Sequence, residues 1–218
     1  KATLVREGFH FDVPKLATLL AGAGAAPHTS DPFEWPNHRG VYRSTDGKLG
    51  VLVNEEDHLR IVVRQPGSDL VAAFSSLVSA LAALDRSHSA TAGIVASPRR
   101  GALTVCPTNL GTGMRVTLRL RLPHMGRDPA ALEAVCSQLL RQVTGSDAIV
   151  KPYAEPELPA GTEGAAATDV AAVAADGTAA ADGSLWEVST KASVGVSEVA
   201  LLQGAIHLTA RLSELERR

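Results

Sequence analysis

Two short segments concentrate the side chains that can do chemistry. Asn54-Glu55-Glu56-Asp57-His58-Leu59-Arg60 gathers three carboxylates and an arginine at the end of a strand-like run. About fifty residues later, Cys106-Pro107-Thr108-Asn109-Leu110-Gly111-Thr112-Gly113-Met114-Arg115 adds a thiol, a glycine-rich turn and a second arginine. A carboxylate can hold a planar cationic fork, localise a lone pair on it and take its proton. Arginines clamp anions through a rigid set of donors, and glycines give the backbone room near a ligand. Each residue type also has a plainer reading. By charge pattern alone, three acids in a row are a solvated turn. A lone cysteine behaves as a small buried hydrophobe, and an arginine on a strand is a solvated side chain.

The elements that must position these groups follow from periodicity. Residues 1–35 form an irregular lead-in, apart from one or two helical turns at 14–20 that end at Gly22-Ala23-Gly24. Strands are expected at 40–43 and 49–53 with Asp46-Gly47 as the hairpin turn, and a β-branched third strand at 59–64. Ser68-Asp69 caps a helix over about 69–84, whose apolar residues Leu70, Phe74, Leu77, Val78 and Leu81 recur at three- and four-residue steps. A short strand at 102–105 precedes an alternating one at 115–122. In the latter, Val116, Leu118, Leu120 and Leu122 face a core, while Arg115, Thr117, Arg119 and Arg121 face the other way as an anion platform.

Asp128-Pro129 opens a second helix running to about 143, with proline at the first helical position. A last strand at 185–189 is followed by a helix from Ser197-Glu198 to about 216, with Val199, Leu202, Ile206 and Leu212 on one face. Residues from about 152 to 184 are rich in Ala, Gly and Pro and carry almost no large apolar side chain. Such a segment buries too little surface to offset its ordering entropy and reads as a mobile insertion. The expected fold is α+β, an antiparallel β-sheet with helices packed on one face, in a domain spanning 36–218.

Composition narrows the functional classes. At 218 residues the chain can build a full core, and with aromatics at 4% that core rests on Leu, Val, Ile and Ala. A net charge of −2 with no compensating basic face argues against nucleic acid as a partner. Cys106 and Cys136 form no disulfide framework, which suits a reducing compartment. No membrane span is expected, because the longest apolar stretch, around 71–84, is interrupted by Ser75, Ser76 and Ser79. Lys1 rather than Met opens the chain, so the residues are expected to belong to a longer or processed product.

Taken together, the two motifs resemble the signature of the phosphagen (guanidino) kinases, the family of arginine kinase, creatine kinase and the bacterial protein-arginine kinases. The likeness covers roughly residues 35–145 and 184–216, with Trp35-Pro36 and Arg39-Gly40 at matching places, and implies the fold of the family's catalytic domain. It implies catalytic and substrate-binding roles for Glu56, at the family's catalytic glutamate, and for Cys106, whose counterpart lies against the guanidinium as a thiolate. Arg60 and Arg115 match arginines that clamp the nucleotide phosphates. Arg119 stands where many members carry a histidine near the nucleotide. The implied cofactor is MgATP or MgADP, with no metal ligands supplied by the chain, and the implied location is intracellular, cytoplasmic or mitochondrial.

Departures from the family pattern are equally specific. An R-G-T-x-G loop follows the second helix in the family, whereas here the place reads Arg141-Gln142-Val143-Thr144-Gly145-Ser146-Asp147. Ala160-Gly161-Thr162-Glu163-Gly164 partly echoes the loop, with Ala160 where its arginine would stand. The family's S-x-R-x-R strand and small helical domain lie ahead of the matching region and are not in this chain. The resemblance therefore supports three readings. The first is a catalytically impaired domain serving as a structural or interaction subunit with other protein chains. The second is part of an active ATP:guanidino phosphotransferase. The third is a regulatory module that binds a guanidino compound or an arginine side chain.

Overall fold

The computed structural model describes residues 40–54, 57–88, 94–153, 184–191 and 194–217. The chain divides into two compact units, residues 1–64 with 156–167, and residues 65–155 with 168–218. The expected lead-in at 1–35, with its helical turns, lies outside the described residues, as do residues 154–183 of the insertion expected at about 152–184.

In the first unit, β1 (Gly40–Arg43), β2 (Leu49–Val53) and β3 (Leu59–Val63) form an antiparallel sheet in that order. The central strand buries Val51 and Leu52, the latter almost fully. The β1–β2 turn is built as its Asp-Gly pair suggests. Gly47 takes the left-handed φ of 70° and its amide donates to the Ser44 carbonyl at 3.0 Å. Asp46 Oδ1 accepts from Ser44 Oγ at 2.5 Å and from the Lys48 amide at 3.1 Å. The Ser44 hydroxyl, and then the Lys48 amide, hold the Asp46 carboxyl below its ordinary range.

The second unit begins with α1 (Leu70–His88), capped by Asp69, whose Oδ1 accepts from the Ala72 amide at 2.9 Å. The three serines do not interrupt it. Ser75, Ser76 and Ser79 each donate to the carbonyl four residues earlier at 2.9 Å, so their polar groups are satisfied within the helix. Leu70–Ser87 has a mean hydropathy of 1.3 and is long and apolar enough to cross a membrane by length and composition alone. One such helix does not show a membrane span, since the core helix of a soluble protein and a signal sequence pass the same test.

A two-stranded ribbon follows, β4 (Ala96–Ser97) with β5 (Gly101–Ala102). Then come β6 (Thr117–Arg121), α2 (Pro129–Thr144), β7 (Ala148–Pro152), β8 (Leu185–Thr190) and α3 (Glu198–Glu216). The three strands form an antiparallel sheet in the order β6-β8-β7. Helices α2 and α3 pack on one another, and together they enclose a core of Leu118, Leu122, Leu132, Cys136, Leu140, Trp186, Val188, Leu208 and Leu212. The class is α+β with antiparallel pairing, as expected, but among the described residues the strands form three separate sheets rather than the one expected.

Several expected elements change in detail. The strand expected at 102–105 is only β5, because beyond Ala102 the chain leaves the ladder for the Cys106 turn. The strand expected at 115–122 contracts to Thr117–Arg121, since the Val116 amide is taken by the Thr190 hydroxyl at 3.1 Å. β7 was not expected; as an edge strand it accommodates Pro152, which has no amide to donate. The apolar stripe assigned to α3 is rotated. Val199 and Ile206 are exposed, while Leu201, Gly204, Ala205, Leu208 and Leu212 are buried. Close approach to α2 sets that rotation: a Cβ on Gly204 would lie 2.9 Å from Thr144 Cγ2.

The α2 termini carry a direct test. Asp128 Oδ1 accepts from the Ala131 amide at 3.0 Å, Pro129 occupies the first turn, and Gly145 closes the helix at φ 69°. Asp128→Ala should lower stability by about 1 kcal/mol in urea unfolding, with an unchanged m value.

Candidate active site

The acidic segment is the loop between β2 and β3. Asn54 follows β2 with a φ of 53°, a left-handed conformation that asparagine tolerates better than most residues. Its amide donates to the His58 carbonyl at 2.9 Å and closes the loop at its base. Glu55 and Glu56 lie outside the described residues; Asp57 is half-buried and His58 exposed. Arg60, on β3, pairs in register with Leu52 of β2 and has an exposed side chain.

The thiol segment belongs to the second unit. Cys106 precedes a 3-10 turn at Pro107–Asn109, and its carbonyl accepts from the Asn109 amide at 3.0 Å and from Thr104 Oγ1 at 2.8 Å. Cys106 Sγ and Thr108 Oγ1 are hydrogen-bonded at 3.0 Å. The loop then returns across the ribbon. Gly111 bridges to Gly101 and Ala102, and its carbonyl accepts from the Ala102 amide at 2.7 Å. At Gly101, φ is 68° and a Cβ would fall 2.2 Å from the Gly111 oxygen, so only glycine fits. This backbone crossing anchors the loop that carries Cys106 at one end and the exposed Arg115 at the other.

The two thiols differ as their surroundings require. Cys136 is fully buried on α2, and burial pushes its thiol up to about 12, which keeps it protonated and inert. Cys106 is only half-buried. An aromatic disulfide reagent should therefore titrate Cys106 first, and Cys136 only at the rate of unfolding. Two fast thiols in the native chain would contradict this placement.

Arg119 lies on β6, on the face opposite the core. Its Nε is 3.5 Å from Glu187 Oε2 on β8, and its guanidinium carbon sits 4.1 Å from the Tyr153 ring centroid. Glu187 Oε1 also meets Lys151 Nζ of β7 at 2.9 Å. The face read from sequence as an anion platform of arginines thus has a carboxylate at its centre. The one-residue alternation of β8 places Glu187 opposite Trp186 and Val188, a signal visible in Trp186-Glu187-Val188; its pairing with Arg119 required the register. Gly101, Lys151 and Tyr153 also escaped the sequence reading, because their roles depend on neighbours distant in sequence.

Of the candidate residues, Cys106, Arg115 and Arg119 belong to the second unit and Arg60 to the first. Residues 4–150 match the family described as ATP:guanido phosphotransferase, C-terminal catalytic domain. The chain belongs to that family. It is 42% identical over 96 residues to an arginine kinase of Anthopleura japonica, covering 44% of this chain and 13% of that protein. Against an arginine kinase of Schistocerca americana the identity is 40% over 116 residues, covering 51% of this chain and 30% of that protein. A creatine kinase B-type of Gallus gallus is 28% identical over 216 residues, covering 99% of this chain and 47% of that protein.

The chain thus spans less than half the length of each of these curated relatives. Among solved structures, a lombricine kinase superposes with a TM-score of 0.63 at 22% identity, covering 94% of this chain and 51% of that one. The substrate-free duplicated taurocyamine kinase of Schistosoma mansoni gives 0.62 at 21% identity, covering 94% of this chain and 24% of that one. At these identities the structural likeness speaks for the fold.

Proposed function

We propose that this chain is a guanidino-kinase catalytic domain with an impaired phosphoryl-donor side, which serves as a structural or interaction subunit of a larger assembly. The observation that carries the reading is the pairing of Arg119 with Glu187: the residue at the family's nucleotide-facing histidine position is held by a carboxylate of its own sheet. Support comes also from the chain after α2, which has no arginine between Arg141 and Arg211 and places Ala160 where the family's loop carries one.

The acceptor side is kept. Glu56 is the group that would hold the guanidinium and take its proton, with Cys106 against the same fork, while Arg60 and Arg115 would steady the phosphates of MgATP. The proposed setting is a reducing intracellular compartment, which suits two reduced thiols. A second reading, an active ATP:guanidino phosphotransferase, is favoured by one observation: identity to relatives named arginine kinase reaches 40–42% over the matched segment. Phosphoryl transfer from MgATP to a panel of guanidino compounds decides between the two, and turnover that disappears in Glu56→Gln would establish the second.

A further inference from the structure

Resting on the reading of an impaired donor side, we propose that Glu187 is a positioning residue that acts as an internal counter-anion. Its carboxylate holds Arg119 and Lys151 in the sheet, and an incoming phosphate must displace it to engage them. The register puts Arg119, Glu187 and Lys151 in one row across β6, β8 and β7. The central strand thus sets its acid between two cations, 3.5 Å from one and 2.9 Å from the other.

Burial favours this arrangement. The Glu187 side chain is 13% exposed and that of Arg119 24%, so their attraction is less screened than that of a fully solvated pair. Arg119 is held from a second side by the Tyr153 ring, and Tyr153 is itself fixed by its amide, which donates to the Leu185 carbonyl at 2.9 Å. The adjacent row is polar and self-satisfied, with Thr117 Oγ1 and Ser189 Oγ 3.0 Å apart. The opposite face of the sheet carries the core.

Calorimetric titration of the whole chain with inorganic pyrophosphate at low salt tests the proposal. Glu187→Gln should raise pyrophosphate affinity about 2- to 30-fold, the worth of two partly exposed ion pairs. That gain should shrink as salt rises and fall in the double variant with Arg119→Ala, where only Lys151 is left to be released. Glu187→Asp keeps the charge in the sheet but shortens its reach, and should give a smaller gain; it carries the test if the glutamine variant fails to fold. The proposal is overturned if folded variants bind as the wild type does, or if the double variant keeps the gain undiminished. Pyrophosphate binding involves no reaction, so phosphotransfer by the wild type would defeat the proposed function while leaving this result standing.

Discussion

Given MgATP with arginine or creatine, the purified chain is expected to show no phosphoryl transfer in a coupled assay and weak nucleotide binding at most. The reaction would join a guanidino nitrogen to the γ-phosphorus, break the bond to the β-phosphate oxygen and pass a proton to Glu56. Catalysis of such transfer is almost entirely positioning and charge stabilisation. Two charge contacts are in question within this chain, the loop arginine replaced by Ala160 and the Arg119 paired with Glu187. A charged hydrogen bond to phosphate is worth about 1.5–3 kcal/mol, so two amount to about 3–6 kcal/mol. That is roughly two to four orders of magnitude in rate. Measurable turnover abolished by Glu56→Gln would show that Arg60 and Arg115 suffice, and the reading of an impaired enzyme would fall.

A large effect on stability is expected at Gly101. Gly101→Val places a β-branched residue at a φ of 68°, where its Cβ meets the Gly111 carbonyl oxygen at 2.2 Å and the Gly111 Cα at 2.8 Å. The left-handed conformation alone costs about 1–2 kcal/mol. The obstacle is backbone on both sides, so no rotamer relieves it, and the total should reach about 3–5 kcal/mol, a large part of an ordinary domain's stability. The damage should begin at the ribbon, where the Ala102 amide would lose the Gly111 carbonyl. Faster reaction of Cys106 with a thiol reagent should therefore accompany a lower urea midpoint. A valine variant as stable as the wild type would mean that the crossing of Gly101 and Gly111 does not anchor this loop.

Much of the architecture is legible in local sequence because its causes are local. Asp128-Pro129 and Ser197 start helices through groups within three residues, and Asp46-Gly47 turns the chain through bonds among residues 44–49. Cys136 among Ala134, Val135 and Leu139 reads as core and is core. Family membership was legible too, because its motifs run through contiguous residues on two loops, and residues 4–150 match the family's catalytic domain.

What periodicity missed depends on partners far along the chain. The rotation of α3 is set where Gly204 meets Thr144, since burial follows the closest approach of two helices rather than the largest side chains on one. β7 exists because β8, more than thirty residues later, pairs with it. The charge of the polar sheet face likewise depends on strand order. Arg119 alone reads as a cation awaiting an anion, and only the placement of β8 between β6 and β7 brings Glu187 to it. The sequence by itself determined most of the elements, the caps and the residues able to do chemistry. Tertiary structure decided which of those charges are already answered, because that depends on cross-strand distances no local pattern encodes.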